Sequence, residues 1–171
     1  MMMIKIFGVI LTVVGCGSVG FQIAANHRRE EKAIQQLLRI LEHMECELQY
    51  RLTPLPELCR QVGKQFKQIP GRVFADLALE LDSQISPDVT CCMTAALHKS
   101  KDITPITKQI LANLGATIGK FDLDGQLKGL NAAATECKCN LDYLSKDRDS
   151  RLRSYQTLGL CAGAALAILL I

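Results

Sequence analysis

Residues 30–52, EEKAIQQLLRILEHMECELQYRL, carry a clear helical pattern in a chain of 171 residues. Their apolar positions recur at intervals of three and four, which is the spacing of one face of an α-helix. Charged and amide side chains fill the positions between them. The pattern predicts an amphipathic helix that packs its apolar face against other helices. The apolar positions are Ile34, Leu37, Leu38, Leu41, Met44, Leu48 and Leu52.

Turn and cap signals divide the following sequence into further helical segments. They are Thr53-Pro54, Pro70-Gly71, Ser86-Pro87-Asp88 and Thr104-Pro105. We expect Thr53 to be an N-cap and Pro54 to be the first helical residue, where the missing N–H loses no hydrogen bond. A last helix is expected to start near Asp122 or Asp124 and to continue unbroken towards the final residues. No segment alternates convincingly as a strand, so the sequence predicts an all-α compact bundle of about six helices.

Both ends of the chain are apolar, which explains a mean hydropathy of +0.15. Residues 1–25 contain one charged side chain, Lys5, and residues 155–171 contain none. About 20 helical residues cross a bilayer core of about 30 Å. We therefore predict flanking N- and C-terminal transmembrane helices, at residues 1–26 and 155–171, around a soluble helical domain at residues 27–154.

The first apolar segment is also compatible with two other interpretations. Ile23-Ala24-Ala25 is a loose match to the exit of a cleaved secretory signal. Val13-Val14-Gly15-Cys16 resembles the bacterial lipobox, which would make Cys16 a lipid attachment site. The apolar run continues beyond Cys16, where a lipidated protein usually has a polar tether.

Basic residues predict the orientation of these spans. Residues 27–32 and 146–153 are rich in Arg and Lys on the inner flank of each span, whereas Lys5 stands alone on the other side. The positive-inside rule then places the middle domain in the cytoplasm and both termini outside. The eight cysteines show no C-x-x-C spacing, and we expect most of them to be reduced, buried, small apolar side chains.

Small residues recur every four positions within each apolar end. Such rows allow close approach of helices in lipid, where apolar burial does not drive association. They predict packing of the spans with each other or with neighbouring subunits. The residues concerned are Gly8, Thr12, Cys16 and Gly20 in the first segment, and Gly159 and Gly163 in the second.

The composition argues against several functional classes. With 49% hydrophobic and 22% charged residues and a net charge of +3, the chain is neither disordered nor strongly basic. The three histidines lack the spacing of a zinc site, and no phosphate-binding or nucleophile motif is present. We therefore expect no enzymatic activity, no metal, no cofactor and no nucleic-acid binding.

Several motifs in order along the chain resemble one family. They are Gly20-Phe21, the run from Leu41 through Glu45, Glu47, Leu48, Tyr50 and Thr53-Pro54-Leu55-Pro56-Glu57, then Leu114-Gly115, Gly119-Lys120, Asp122, Gly125-Gln126, and Tyr155 with Leu158-Gly159. Together they resemble the stage III sporulation protein AB family of endospore-forming bacteria. That family usually has a Trp in the fourth helix, near Ala95-Ala96-Leu97, and this chain has none.

The resemblance implies a subunit of the transenvelope channel, or feeding tube, that joins the mother cell to the engulfed forespore. It also implies a domain similar to the F-type platform protein of type II secretion and type IV pilus machines. The implied location is the mother-cell membrane around the forespore, with the central domain in the cytoplasm. The implied partners are a cytoplasmic AA-type ATPase and other stage III subunits, and homo-oligomerisation is left open.

Within the resembling motifs, one region is the candidate contact surface for these partners. Its residues are Glu45, Glu47, Tyr50, Thr53, Pro54, Leu55, Asp122 and Gln126. Two alternative functions stay open on the sequence alone. One is a general secretion or pilus platform component, and the other is a lipid-anchored extracytoplasmic binding domain.

Overall fold

The computed structural model describes residues 2–83, 88–118 and 123–170, with side chains for residues 26–83, 88–118 and 123–146. Throughout these ranges the regular structure is helical, without a strand, and the prediction of an all-α chain of six helices is confirmed. The helices are α1 (Met2–Arg51), α2 (Leu55–Gln65), α3 (Ile69–Ser83), α4 (Val89–Lys99), α5 (Pro105–Ile118) and α6 (Leu123–Leu170).

The chain divides into two compact units. Glu30–Leu141 forms one of them and contains α2 to α5 with the adjoining parts of α1 and α6. Met1–Arg29 and Asp142–Ile171 form the other. The Glu30–Leu141 unit is called the bundle.

The core of the bundle is built on the apolar face of α1. Six of its side chains have almost no exposure, namely Ile34, Leu37, Ile40, Leu41, Met44 and Leu48. Fully burying one such side chain stabilises a fold by about 1.5–3 kcal/mol. The prediction that Leu52 continues this face is wrong. The helix ends at Arg51, and Leu52 has a φ of 52° and is 65% exposed.

α2 and α3 are antiparallel within the bundle. Gly63 of α2 lies against Ala75 of α3, and Arg60, earlier in α2, pairs with Asp82, later in α3. Residue numbers therefore fall along α3 as they rise along α2. α4 and α5 are also in contact, since Gly115 of α5 lies against Met93 of α4.

The starts of α2 and α3 differ from the sequence prediction. Pro54, not Thr53, precedes the first helical residue of α2, and no side chain caps this end; the Pro54 carbonyl accepts the Leu58 N–H at 2.9 Å. The break between α2 and α3 lies at residues 66–68, so Pro70 and Gly71 belong to the first turn of α3. A proline in a first helical turn has no intrahelical partner to lose.

The first turns of α4 and α5 are stabilised in two different ways. Asp88 is the N-cap of α4, and its carboxylate accepts the Thr90 N–H at 3.1 Å. Pro105 is the first residue of α5, as predicted after Thr104. The orphan N–H of Ile106 in that first turn donates to Glu30 Oε1 of α1 at 3.1 Å. A carboxylate at a helix N-terminus also interacts favourably with the helix dipole.

The predicted continuity of the first and last helices is confirmed for the backbone. α1 runs unbroken through 50 residues and α6 through 48. Searched over the described residues, the helices include none that is long and apolar enough to cross a membrane. The apolar ends, with Gly8, Thr12, Cys16, Gly20, Gly159 and Gly163, lie outside the residues with described side chains.

Candidate partner-binding surface

Two polar contacts fix how α1 and α6 lie against each other in the bundle. The side-chain amide of Asn131 donates to Glu45 Oε1 at 2.8 Å, and Lys138 Nζ lies 3.7 Å from Glu42 Oε1. Residue numbers fall along α6 as they rise along α1, so the helices are antiparallel. The C-terminal end of α1 and the N-terminal end of α6 therefore lie at the same end of the bundle.

This arrangement brings together the two separate parts of the predicted contact surface. Tyr50 lies five positions beyond Glu45, and Gln126 lies five positions before Asn131. At 1.5 Å per residue, each is about 7.5 Å along its helix from the Glu45–Asn131 contact. We call this end, residues 50–54 with residues 123–126, the tip.

Exposed apolar side chains distinguish the tip. Tyr50 is 77% exposed, Leu52 is 65% exposed, and Pro54 is also exposed. Leu123, the first residue of α6, adds a side chain that is 37% exposed. Clusters of exposed apolar groups on a folded domain are typical of partner-binding surfaces.

The backbone at Leu52 supports the same interpretation. Its φ of 52° is in the left-handed region, where a residue with a Cβ is disfavoured by about 1–2 kcal/mol. Glycine would occupy this position without strain. A strained residue that exposes a large apolar side chain gains nothing for the fold, which points to a role outside the fold.

The other predicted residues take more internal positions. Glu45 is engaged by Asn131, and the carboxylate of Glu47, 13% exposed, pairs with Arg51 at 3.3 Å. Thr53 and Leu55 are half-buried, as is Gln126. Asp122 lies outside the described residues.

Leu52 and Leu123 are candidate contact residues that the sequence prediction missed. Leu52 was assigned to the core because it continues the spacing of the α1 face. The signal that could have placed it outside is the Thr53-Pro54 pair directly after it. The residue before a helix-breaking pair often leaves the helical conformation.

The comparisons with known proteins agree with the resemblance in the motifs. Residues 5–171 match the family described as stage III sporulation protein AB. The chain belongs to this family. A curated relative, stage III sporulation protein AB of Bacillus subtilis (strain 168), is 27% identical over 171 residues, covering 98% of this chain and 99% of the relative.

A solved structure of stage III sporulation protein AB has the same fold as this chain. It covers 71% of this chain and 98% of its own length, with a TM-score of 0.62 and 23% identity. At this identity the likeness establishes the fold only. Membership of the stage III sporulation protein AB family gives the chain a role connected with sporulation.

The six cysteines with described side chains fall into two environments. Cys59, Cys92 and Cys137 are buried, whereas Cys46, Cys91 and Cys139 are exposed. The expectation that most would be buried is therefore wrong for these three. Burial raises the pKa of the Cys59 thiol to about 12. Burial and, to a lesser degree, the Glu136 carboxylate raise the pKa of Cys137 to about 12.

We expect alkylation of the purified native chain at pH 8 to separate these two classes. The thiolate is the reacting species, so a pKa of about 12 leaves Cys59 and Cys137 at least about 100-fold slower than an exposed thiol. Iodoacetamide labelling followed by peptide mass spectrometry measures the rates. The denatured chain, in which all sites should react alike, is the control. Fast native labelling of Cys59 would contradict the packing of α2.

Proposed function

We propose that the chain is a non-enzymatic platform subunit of the transenvelope channel between mother cell and forespore. In this proposal the apolar ends, residues 1–26 and 155–171, span the mother-cell membrane around the forespore, and the bundle lies in the cytoplasm. The bundle couples a cytoplasmic AA-type ATPase to the membrane subunits. Family membership supports the link to sporulation.

The proposed membrane attachment is supported by the continuity of α1 and α6. Each helix runs without a break from the bundle into an apolar end of the sequence. Since α1 and α6 are antiparallel within the bundle, Glu30 and Leu141, its first and last residues, lie at one end of it. This supports attachment of the bundle to a membrane through that end.

The tip supports the proposed ATPase contact. Tyr50 lies twenty positions beyond Glu30 on α1, or about 30 Å along the helix axis. The tip is thus at the end of the bundle opposite Glu30 and Leu141. Its exposed apolar groups offer a contact surface for a cytoplasmic ATPase, and a force applied there would act directly on α1 and α6.

Deletion of the gene tests the role, and co-purification tests the partner. We expect the deletion strain to yield heat-resistant spores only at background level, with recovery on complementation. The full chain, extracted in detergent from sporulating cells, should co-purify with the ATPase of the same complex. Normal spore counts after deletion, in cells without a second copy, would refute the proposed role.

The exposed cysteines test the proposed orientation. With the bundle in the cytoplasm, Cys46, Cys91 and Cys139 should resist a membrane-impermeant maleimide in intact cells and react after permeabilisation. Reaction in intact cells would instead favour a lipid-anchored extracytoplasmic domain.

A further inference from the structure

Three side chains share one side of α1, and the connection between α2 and α3 packs against the last of them. Lys32, Arg39 and His43 are separated by seven and four positions, so they share one side of the helix. Lys32 and Arg39 are exposed. The ring of His43 contacts that of Phe66 with centroids 5.8 Å apart, which places the α2–α3 connection against this side of α1.

Three more cations lie within six positions of Phe66 in the chain, one in the α2–α3 connection and two in the adjoining helices. Lys64, Lys67 and Arg72 are all exposed, and Arg72 Nε donates to the Lys67 carbonyl at 3.2 Å. The sequence between Glu57 and Asp76 contains no acidic residue. We call Lys32, Arg39, Lys64, Lys67 and Arg72 the basic ledge.

Four acidic groups of α1 to α3 are engaged elsewhere, whereas Glu31 directly precedes Lys32 and Asp76 lies four positions after Arg72. Glu30 accepts the Ile106 N–H, and Glu42 lies towards Lys138 of α6. Glu57 and Asp82 both pair with Arg60. Across the part of the chain with described side chains, the ledge cations form no ion pair.

We infer that the basic ledge binds an acidic segment of a partner protein in the complex. The inference rests on the proposed function, and it adds a second contact surface on the side of the bundle, apart from the tip. Charge complementarity is the basis: an array of exposed, unpaired cations steers and orients a partner of opposite charge.

The length of the basic ledge along α1 favours a protein over a lipid surface as its ligand. Lys32 and Arg39 are about 10 Å apart along α1, and His43, level with Phe66, is about 6 Å further. Charges are screened beyond about 8 Å at physiological salt. A flat lipid surface perpendicular to α1 that meets Lys32 would therefore miss the α2–α3 cations. A polypeptide lying beside α1 can meet all five.

Charge reversal in sporulating cells tests the inference on the full chain. The ledge variant is R39E/K67E/R72E, and the matched control K101E/K108E/K128E reverses three exposed charges outside the ledge. A second variant, K32E/K64E/K67E, retains the Arg72 hydrogen bond to the backbone. We expect both ledge variants to lower the heat-resistant spore titre at least about tenfold and the control to stay within about twofold. Equal losses in ledge and control variants, or no loss in either ledge variant, would overturn the inference.

A zero-length carbodiimide identifies the chemistry of the contact, because it joins lysine amines directly to carboxylates. In the purified complex we expect cross-links from Lys64 or Lys67 to Asp or Glu of another subunit, and their loss from the ledge variants. Absence of such cross-links in the parent would overturn the inference. So would protection of residues 64–72 from hydrogen exchange by phosphatidylglycerol nanodiscs alone, which would identify lipid as the ligand.

The deletion strain separates failure of this inference from failure of the proposed function. If deletion leaves sporulation intact, the proposed role is refuted. The cross-linking result then tests by itself whether the basic ledge binds an acidic segment. If deletion abolishes sporulation while both ledge variants sporulate normally, the ledge inference alone fails.

Discussion

Replacing Gly71 with alanine is expected to lower the free energy of unfolding by at least about 3 kcal/mol. A Cβ at this position would lie within hard contact of the Phe66 carbonyl oxygen and 2.8 Å from Phe66 Cβ. The obstacle is backbone, so a side-chain rotation cannot relieve it. The turn between α2 and α3 would have to open, which would also displace the Phe66 ring from His43. Chemical denaturation followed by circular dichroism measures the loss.

Gly129→Ala is the matched control for this substitution. Its added Cβ would meet Thr117 Oγ1 at 2.9 Å and Thr117 Cβ at 3.2 Å, which are side-chain atoms. Alanine in a helix also gains up to about 1 kcal/mol over glycine. We expect its free energy of unfolding to stay within about 1 kcal/mol of the parent. Equal destabilisation by the two substitutions would show that the α2–α3 turn is not the constraint.

Leu52→Gly is expected to stabilise the protein and to impair its function. Glycine relieves left-handed strain of about 1–2 kcal/mol and loses part of that gain to the greater freedom of the unfolded chain. Little burial is lost, because Leu52 is 65% exposed. The expected net gain is about 0.5–1 kcal/mol. If the tip binds the ATPase, the heat-resistant spore titre should nevertheless fall at least about tenfold, since a few residues carry most of the binding energy of an interface.

Leu79→Gly provides a control with the same chemical change and nearly the same exposure. Leu79 lies within α3 and is 64% exposed. There, glycine should destabilise the fold by about 1 kcal/mol because the helical backbone is unstrained. Its spore titre should stay within about twofold of the parent, as Leu79 is outside the tip. A stabilised Leu52→Gly variant with normal sporulation would remove the tip as a contact surface.

The spacing of apolar residues predicted the helices because the helical repeat is a local property of the backbone. It gave the number of helices, the start of α6 and the continuity of both long helices. The spacing was less accurate in predicting the residues at which helices begin and end. The residue before α2 is Pro54 and not the expected Thr53, and the α2–α3 break precedes Pro70-Gly71. Helix ends depend on which orphan N–H and C=O groups find partners, and some partners are distant in sequence.

The sequence likewise predicted only part of the candidate partner-binding surface. The motifs predicted that residues 45–55 and residues near 126 act together, but they could not show how. The Glu45–Asn131 contact, between residues far apart in the chain, brings these segments to one end of the bundle. At Leu52 the spacing of apolar residues gave a wrong prediction. It predicts a core position, whereas the side chain is exposed and the backbone is strained.

The amino-acid sequence by itself determined the all-helical class, the separation of apolar ends from a polar middle, and family membership. These follow from composition, periodicity and ordered motifs, all of which are readable along one chain. The tertiary structure alone decided the exposure of the tip, the cap given by Glu30 to α5, and the meeting of α1 with the α2–α3 connection in the basic ledge. Each is a contact between segments distant in sequence, and only packing of the helices against one another selects which side chains meet and which stay exposed.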